Sequence, residues 1–219
     1  MILLYKFKNI IYYNQITKNI KNPIMSEIGG VENISIKKTD GMFIKSYPIQ
    51  YLHNDREIIN LRLKCIKEYI QYEFTYEWSK SYLKLKSELI IGSHLKLNYT
   101  QLLTLAQYLD MIHKKGFFHG DIHTRNIIIK DNFPYLVDWE PCFIQTIKSK
   151  KIIKSNSKGI ANKDRENKKI SHLTDKKGFL RLISSDIFDK LADTNKMENL
   201  NCKELFNYHL EINKDILNH

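Results

Sequence analysis

The stretch that most constrains the fold of this chain is Phe117–Glu140, which reads FFHGDIHTRNIIIKDNFPYLVDWE. It places Asp121 five residues before Asn126, and two apolar runs then lead to Asp138. Apolar runs on either side of a turn are typical of a β-hairpin. The stretch therefore predicts a polar loop, a hairpin that turns at Lys130–Pro134, and an aspartate at the end of the second strand.

The polar residues of this stretch suit phosphoryl transfer. That reaction needs a carboxylate that orients the attacking hydroxyl, and metal ions that neutralise the phosphates. Asp121 is placed for the first task, whereas Asn126 and Asp138 offer the oxygen ligands that Mg²⁺ prefers. We expect His119 to brace the loop backbone through hydrogen bonds. Asp and Asn are individually common in turns, but turns alone do not explain their joint spacing.

A strongly periodic helix precedes the loop. Apolar residues recur at helical spacing through Tyr99–Lys115. Thr100 is the expected cap, and Gly116 is the expected end because glycine accepts the left-handed conformation that closes many helices. The helix should deliver the chain directly into the loop.

The region before that helix has the pattern of a small antiparallel sheet. Strand-like runs cover Ile24–Ile28, Ile34–Lys37 and Met42–Lys45, and Thr39–Gly41 is a hairpin signal. Two further runs, YEFTYEW and YLKLKS, complete the pattern. We therefore expect a sheet with short turns.

Such a sheet can cover a nucleotide. Gly29 and Gly30 would let backbone amides approach the phosphates, and Lys45 would contact the α- and β-phosphates. The linker that holds Glu88 and Ile90 would meet the adenine with its backbone. An ordinary β-meander is the alternative, because paired glycines are common in turns and a complete GxGxxG is absent.

A helix is expected between the strand that ends at Lys45 and the two later strands. It begins after the cap residue Asn54 and continues to about Ile70. Glu57 or Glu68 would form an ion pair with Lys45, although a solvated carboxylate explains either residue equally well. The expected apolar face consists of Ile58, Leu61, Cys65, Ile66 and Tyr69.

The motifs HGDIHTRN and VDWE together resemble the protein-kinase-like superfamily, whose members carry H-R-D-x-x-x-x-N and D-F-G at these places. The HGD and DWE variants are similar to aminoglycoside and choline phosphotransferases, and to small atypical or secreted bacterial protein kinases. The resemblance covers about residues 24–182. It implies a two-lobed α+β fold, with an extension at 1–23, an N-lobe at 24–92 and a C-lobe at 93–219.

The resemblance also implies ATP and Mg²⁺ as cofactors. Asp121 and Lys45 would be catalytic, Lys45 through its contact with the phosphates, and Asn126 and Asp138 would be metal ligands. The chain departs from the family in its abbreviated glycine loop, in Trp139-Glu140 for Phe-Gly, and in Gly120 for the usual arginine. Loss of that arginine argues against activation by a phosphorylated activation loop.

The residues after the site have the character of an activation segment. The chain is basic to Lys154 and polar as far as Lys169. Asp175 resembles the buried aspartate that braces the kinase catalytic loop, although a plain helix cap before Gly178–Ile183 explains it equally well. Two short helices, at Ile187–Leu191 and Cys202–Leu217, should complete the chain.

Bulk properties limit the class of protein. The net charge of +11 favours anionic partners, but no nucleic-acid motif is present. Cys65, Cys142 and Cys202 are far apart and lack zinc-site spacing, which favours a reducing, cytoplasmic compartment. No apolar run approaches the ~20 residues of a membrane span, and the N-terminus is a poor signal peptide. Delivery by a specialised secretion system would escape these tests.

The sequence thus predicts transfer of the ATP γ-phosphoryl group to a hydroxyl. We expect a minimal serine/threonine protein kinase, because the chain is short and has an activation-like segment. A small-molecule kinase of the aminoglycoside or choline type is the first alternative, favoured by the HGD and DWE motifs. A pseudokinase, which binds without turnover, is the second.

Overall fold

The computed structural model describes residues 35–52, 56–141, 170–184, 188–189, 191 and 195–217. These residues form an α+β structure with a small antiparallel sheet, a separate two-stranded hairpin and several helices, as the sequence predicts at this level. In chain order the elements are β1 (Ser35–Thr39), β2 (Met42–Pro48), α1 (Arg56–Tyr69), β3 (Phe74–Trp78), β4 (Tyr82–Glu88), α2 (Tyr99–Lys114), β5 (Ile127–Lys130), β6 (Phe133–Leu136), α3 (His172–Ile183), α4 (Asn195–Asn199) and α5 (Cys202–Leu217).

The four-stranded sheet has the order β1-β2-β4-β3, and all its neighbours are antiparallel. The β1–β2 turn is formed by Asp40 and Gly41, with φ angles of 43° and 76°. Positive φ at both central residues matches the right-handed twist of a hairpin, so the predicted turn is confirmed. Lys45 lies mid-strand on β2, opposite Ile36 of β1 and Leu85 of β4.

Helix α1 buries a different face from the one that the sequence predicts. Its buried residues are Ile59, Arg62, Leu63 and Ile66, whereas Leu61 is 61% exposed. The buried face includes Arg62, so the positions of the apolar residues alone predict the wrong face of this helix. The predicted cap, Asn54, lies outside the described residues.

Helix α2 begins and ends through local hydrogen bonds. Asn98, not Thr100 as predicted, caps its first turn: the Asn98 side chain accepts from the Gln101 backbone, and the Gln101 side chain accepts from the Asn98 backbone. This reciprocal pair satisfies two backbone groups that a helix start leaves open. Gly116 follows the helix with φ of 73°, as predicted.

The hairpin β5–β6 has a tighter turn than expected. Asp131 and Asn132 form it alone, with φ angles of 51° and 63°. Phe133 and Pro134 belong to β6, where Pro134 lies opposite Ile129. Proline is tolerated there because Ile129 directs its backbone N–H and carbonyl to Ser93, so that Pro134 on β6 is not required to donate to β5.

Helix α3 starts earlier than predicted. Ser171 caps it, and Thr174 completes a capping box, so that the helix already includes the residues before Gly178. Asp175 is therefore not a cap, and its side chain is fully buried. A β-carbon on Gly178 would lie 2.5 Å from the Ile122 carbonyl oxygen, so α3 packs directly against the loop after α2.

One contiguous core joins the sheet to the helices. It includes Leu83 and Leu85 of β4, Leu109 of α2, Phe179 of α3 and Phe206 of α5. The smaller cluster beside it centres on Leu180, Leu191, Met197 and Leu205. In the described parts of the chain, no helix has both the length and the apolarity needed to cross a membrane.

Several predictions fall outside the described residues. Among them are the strand Ile24–Ile28, Gly29 and Gly30, and the activation-like segment at 142–169. The division between lobes at 92/93 stays a prediction. The predicted helix at Cys202–Leu217 is confirmed.

Candidate active site

Asp175 holds the loop between α2 and β5 through hydrogen bonds with the loop backbone. The buried Asp175 carboxylate accepts hydrogen bonds from the backbone N–H groups of His119, at 2.7 Å, and Gly120, at 2.6 Å. Burial works against its charge, but the hydrogen bonds from His113 and from the loop amides outweigh burial and lower the pKa of the carboxyl. The inward orientation predicted for Asp175 is confirmed.

His119 ties the two halves of the site together. Its Nδ1 accepts from the backbone N–H of Asp121, so Nε2 carries the proton and donates to the Val137 carbonyl at 3.0 Å. The ring is completely buried, and burial lowers the pKa of this histidine. The prediction that His119 braces the loop backbone through hydrogen bonds is confirmed, and the imidazole does so in its neutral form.

The buried state of His119 predicts a stability loss in mild acid. Its folded-state pKa lies below the ordinary value of about 6.5. The unfolded chain therefore binds more protons in this range, and the free energy of unfolding should fall as pH drops below about 6.5. Urea unfolding of wild type and His119→Gln between about pH 5 and 8 should give a flatter pH curve for the variant.

A matched substitution at His209 serves as the control for this experiment. Burial also lowers the pKa of His209, but that side chain is less deeply buried than His119. His209→Gln should therefore flatten the curve less. Equal slopes for wild type and His119→Gln would contradict a neutral, buried His119.

Asp121 and Asn126 are joined within the loop. The Asn126 amide donates to the Asp121 carbonyl at 2.9 Å and to the Asp121 carboxylate at 3.2 Å. The His123 ring lies 3.4 Å from the same carboxylate oxygen. Because the amide nitrogen is directed at Asp121, the side-chain carbonyl of Asn126 is the atom that can ligate a cation.

Asp138 follows β6 in a backbone conformation that few residues adopt. Its φ is 68°, in the left-handed region that aspartate tolerates better than most side chains. The hairpin is anchored to the loop just before it, where the Val137 N–H donates to the Asn126 carbonyl. The Asp138 side chain remains 37% exposed, so it faces the open side of the site.

Lys45 joins the sheet to this site. Its ammonium donates to the Asp138 carboxylate and, at 2.6 Å, to that of Glu140. Burial alone would lower the pKa of Lys45, but the two carboxylates outweigh it and raise that pKa well above its ordinary value. The structure thus brings Lys45 and Asp138 together.

The predicted partners of Lys45 were wrong. Glu57 and Glu68 are both exposed on α1, and the ion pairs of Lys45 are instead with Asp138 and Glu140. The physical reason is the rotation of α1, because the face that it turns to the core carries Arg62 and no carboxylate.

Glu140 and Arg62 are site residues that the sequence analysis missed as functional. Besides Lys45, the Glu140 carboxylate accepts from the Tyr47 hydroxyl at 3.0 Å, and burial raises the pKa of this carboxyl. Arg62 donates to the carbonyls of Phe118, His119 and Glu140 at 2.8–3.0 Å. The position of Arg62 within the apolar face of α1 is the feature of the sequence that could have indicated its role.

Trp139 is part of the core beneath the loop. Its indole is buried, stacks on Phe117 with ring centroids 5.5 Å apart, and meets His119 edge-on at 4.6 Å. The indole N–H donates to the Leu136 carbonyl at 2.9 Å. Trp139 therefore anchors the backbone between Asp138 and Glu140 to the core below the loop.

The linker after β4 runs beside β5. Ser93 exchanges two backbone hydrogen bonds with Ile129, at 3.0 and 2.8 Å. Glu88 ends β4 with its side chain 3.6 Å from Lys130, and Ile90 is buried. A backbone contact of Glu88 and Ile90 with adenine stays a prediction.

A groove of about 330 Å³ opens between α3 and the loop residues that directly follow Asp121. The loop contributes Ile122, His123, Thr124 and Arg125, and α3 contributes Gly178, Arg181 and Leu182. Two guanidinium groups give this lining a cationic character. The groove thus offers a place for an anionic molecule between the loop and α3.

Comparison with known proteins adds no assignment to this geometry. No model of a known protein family matches the chain, and no curated protein matches it either.

Proposed function

We propose that the protein is a phosphotransferase with a protein-kinase-like fold, which moves the γ-phosphoryl group of ATP to a hydroxyl. The observation that carries this proposal is the pairing of Lys45 with Asp138, 93 residues apart in sequence, beside the loop that joins Asp121 to Asn126. A cation, a hydroxyl-orienting carboxylate and two oxygen ligands are the parts that phosphoryl transfer requires.

The residues present fit a magnesium ion. The Asn126 amide nitrogen is engaged by Asp121, which leaves its carbonyl oxygen for a cation, and Asp138 offers a partly exposed carboxylate. Such oxygens are the ligands that Mg²⁺ accepts alongside phosphate. When bound, the ion would neutralise charge on the phosphates.

In the proposed function, Lys45 would contact the nucleotide and Glu140 would hold Lys45 in place. Lys45 is shared between two carboxylates, so Asp138 can serve a metal while Glu140 keeps the ammonium in place. Lys45 then remains available to the α- and β-phosphates. Glu140 thereby takes the role that the sequence analysis gave to Glu57 or Glu68.

Asp121 would orient the acceptor hydroxyl and receive its proton. Its side chain is buried, and the residues that directly follow it line the groove in which an acceptor would bind. Arg125 and Arg181 in the groove lining favour an acceptor with nearby negative charge. They disfavour cationic acceptors of the aminoglycoside or choline type. We therefore propose a serine or threonine flanked by acidic residues in a protein.

The proposal is tested with ATP labelled at its γ-phosphate, supplied with Mg²⁺. The label should enter proteins of a cell lysate, and Lys45→Met should lower the rate by roughly 10²-fold, as loss of a preorganised cationic contact does elsewhere. Lys84→Met is the control, since Lys84 is a partly exposed lysine of the same sheet that pairs with Glu77.

The outcomes separate the candidate functions. Label in small alcohols or aminoglycosides, but not in proteins, would replace the protein acceptor with a small one. ATP binding without transfer to any acceptor would indicate a pseudokinase. Equal rates for Lys45→Met and Lys84→Met would contradict the role of Lys45.

A further inference from the structure

A second group of potential ligands lies behind the loop, apart from the residues proposed to act on ATP. Asp110 and His113 are three residues apart on α2, and Cys202 begins α5. A carboxylate oxygen, a ring nitrogen and the thiol sulfur of these residues lie within 4.8 Å of one another. Three different donor types thus converge where the two helices meet.

His113 has hydrogen bonding on one of its two ring nitrogens. Its Nε2 is engaged by the Asp175 carboxylate at 3.0 Å, and the side chain is only 10% exposed. Among the described residues, its Nδ1 is buried and has no hydrogen-bond partner. A carboxylate on one ring nitrogen and a free lone pair on the other is the arrangement found in metal-bound histidines.

The other two ligands are held by α5. The backbone N–H groups of Cys202 and Lys203 donate to the Asp110 carboxylate, at 2.6 and 3.0 Å. The Cys202 thiol is completely buried, and burial raises its pKa well above the ordinary value. Without a metal, the thiol therefore stays protonated beside a carboxylate.

We propose that Asp110, His113 and Cys202 bind a zinc ion. Sulfur, imidazole and carboxylate donors favour zinc over magnesium. Three protein ligands leave one tetrahedral position for water. Zinc–ligand bonds of about 2.0–2.3 Å place ligand atoms roughly 3.5 Å apart, so the group must contract by about 1 Å. The sulfur–zinc bond replaces the S–H bond, and the proton leaves to solvent.

The zinc site would stabilise the loop between α2 and β5 through Asp175, which contacts both His113 and the loop. The metal fixes the His113 ring, the ring holds Asp175, and Asp175 holds the backbone of His119 and Gly120. A metal between α2 and α5 thus stabilises the base of the site without touching a nucleotide. The zinc assignment does not depend on the proposed phosphoryl transfer.

The test measures metal directly on the full chain. After chelation and dialysis, wild type should take up about one equivalent of Zn²⁺, and Co²⁺ should give a thiolate-to-cobalt charge-transfer band. Zinc-edge X-ray absorption should find one sulfur at about 2.3 Å with nitrogen or oxygen ligands at about 2.0–2.2 Å. Neither measurement needs a variant or an active enzyme.

Substitutions locate the ion. Cys202→Ser and His113→Gln should each weaken zinc binding at least roughly tenfold, as changes at such sites do. Cys65→Ser and Cys142→Ser replace the other cysteines of the chain and should leave it unchanged. Absence of stoichiometric zinc, absence of a sulfur ligand in wild type, or loss of binding in either control would overturn the assignment.

Discussion

Asp121→Asn is expected to slow phosphoryl transfer by roughly 10²- to 10⁴-fold, the usual contribution of a positioned proton acceptor. Asparagine keeps the volume of this buried side chain, but it lacks the charge that receives the hydroxyl proton. Nucleotide affinity should change little, because the proposed nucleotide contacts come from Lys45 and Asp138. Turnover of labelled ATP and calorimetric titration with ATP, on the same samples, separate the two quantities.

Asp131→Asn is the matched control. Asp131 is an exposed residue of the β5–β6 turn with positive φ, a conformation that asparagine also accepts. Its turnover should equal that of wild type. An equal loss of affinity and turnover in Asp121→Asn would refute a catalytic role, since such a residue would act through binding or folding instead.

Local sequence signals predicted most of the elements. The β1–β2 hairpin was predictable because Asp40-Gly41 accepts positive φ at both central positions. Gly116 marked the end of α2 for a similar reason. The error at Thr100 concerns which of two neighbouring polar residues caps the helix, and the error at the β5–β6 turn concerns only the length of the turn.

The partners within the site were less predictable because they depend on long-range packing. The resemblance implied separate roles for Lys45 and Asp138, but it predicted neither the contact between these two residues nor the contact between Lys45 and Glu140. Glu140 stands where the resemblance would place a glycine, so the sequence alone gives it no role. Its role becomes visible only when Trp139 fixes the backbone beside it.

The rotation of α1 illustrates the limit of apolar periodicity. An arginine is counted as polar, although its guanidinium can be buried when carbonyl oxygens accept its hydrogen bonds. Arg62 lies on the same face as Ile59 and Ile66, and the exposed Leu61 lies off it. The apolar residues that lie off the buried face therefore shift the predicted face of α1 away from the true one. The sequence consequently places Glu57 or Glu68 near Lys45, although both are exposed.

Arg62→Met is expected to cause the largest loss of stability among these variants, at least about 3 kcal/mol. Each buried acceptor that loses its donor costs about 1–3 kcal/mol, and Arg62 serves the carbonyls of Phe118, His119 and Glu140. Its guanidinium also lies 4.8 Å from the Phe117 ring centroid. Methionine fills part of the volume but donates no hydrogen bond. Urea unfolding at neutral pH measures the loss.

Two further substitutions test whether stability depends on the planar set of guanidinium donors of Arg62 or only on its charge. Arg62→Lys keeps the charge, but a single ammonium cannot reproduce the planar donor geometry, so it should recover only part of the stability. Arg56→Met removes an exposed arginine of the same helix that lies 4.6 Å from the Trp78 ring centroid, and it should cost less than about 1 kcal/mol. A loss in Arg62→Met no greater than in Arg56→Met would mean that water replaces the guanidinium at these carbonyls. The link from α1 to the loop would then contribute little to folding, and Lys45, Asp138 and Glu140 would have to be positioned by the sheet and the hairpin alone.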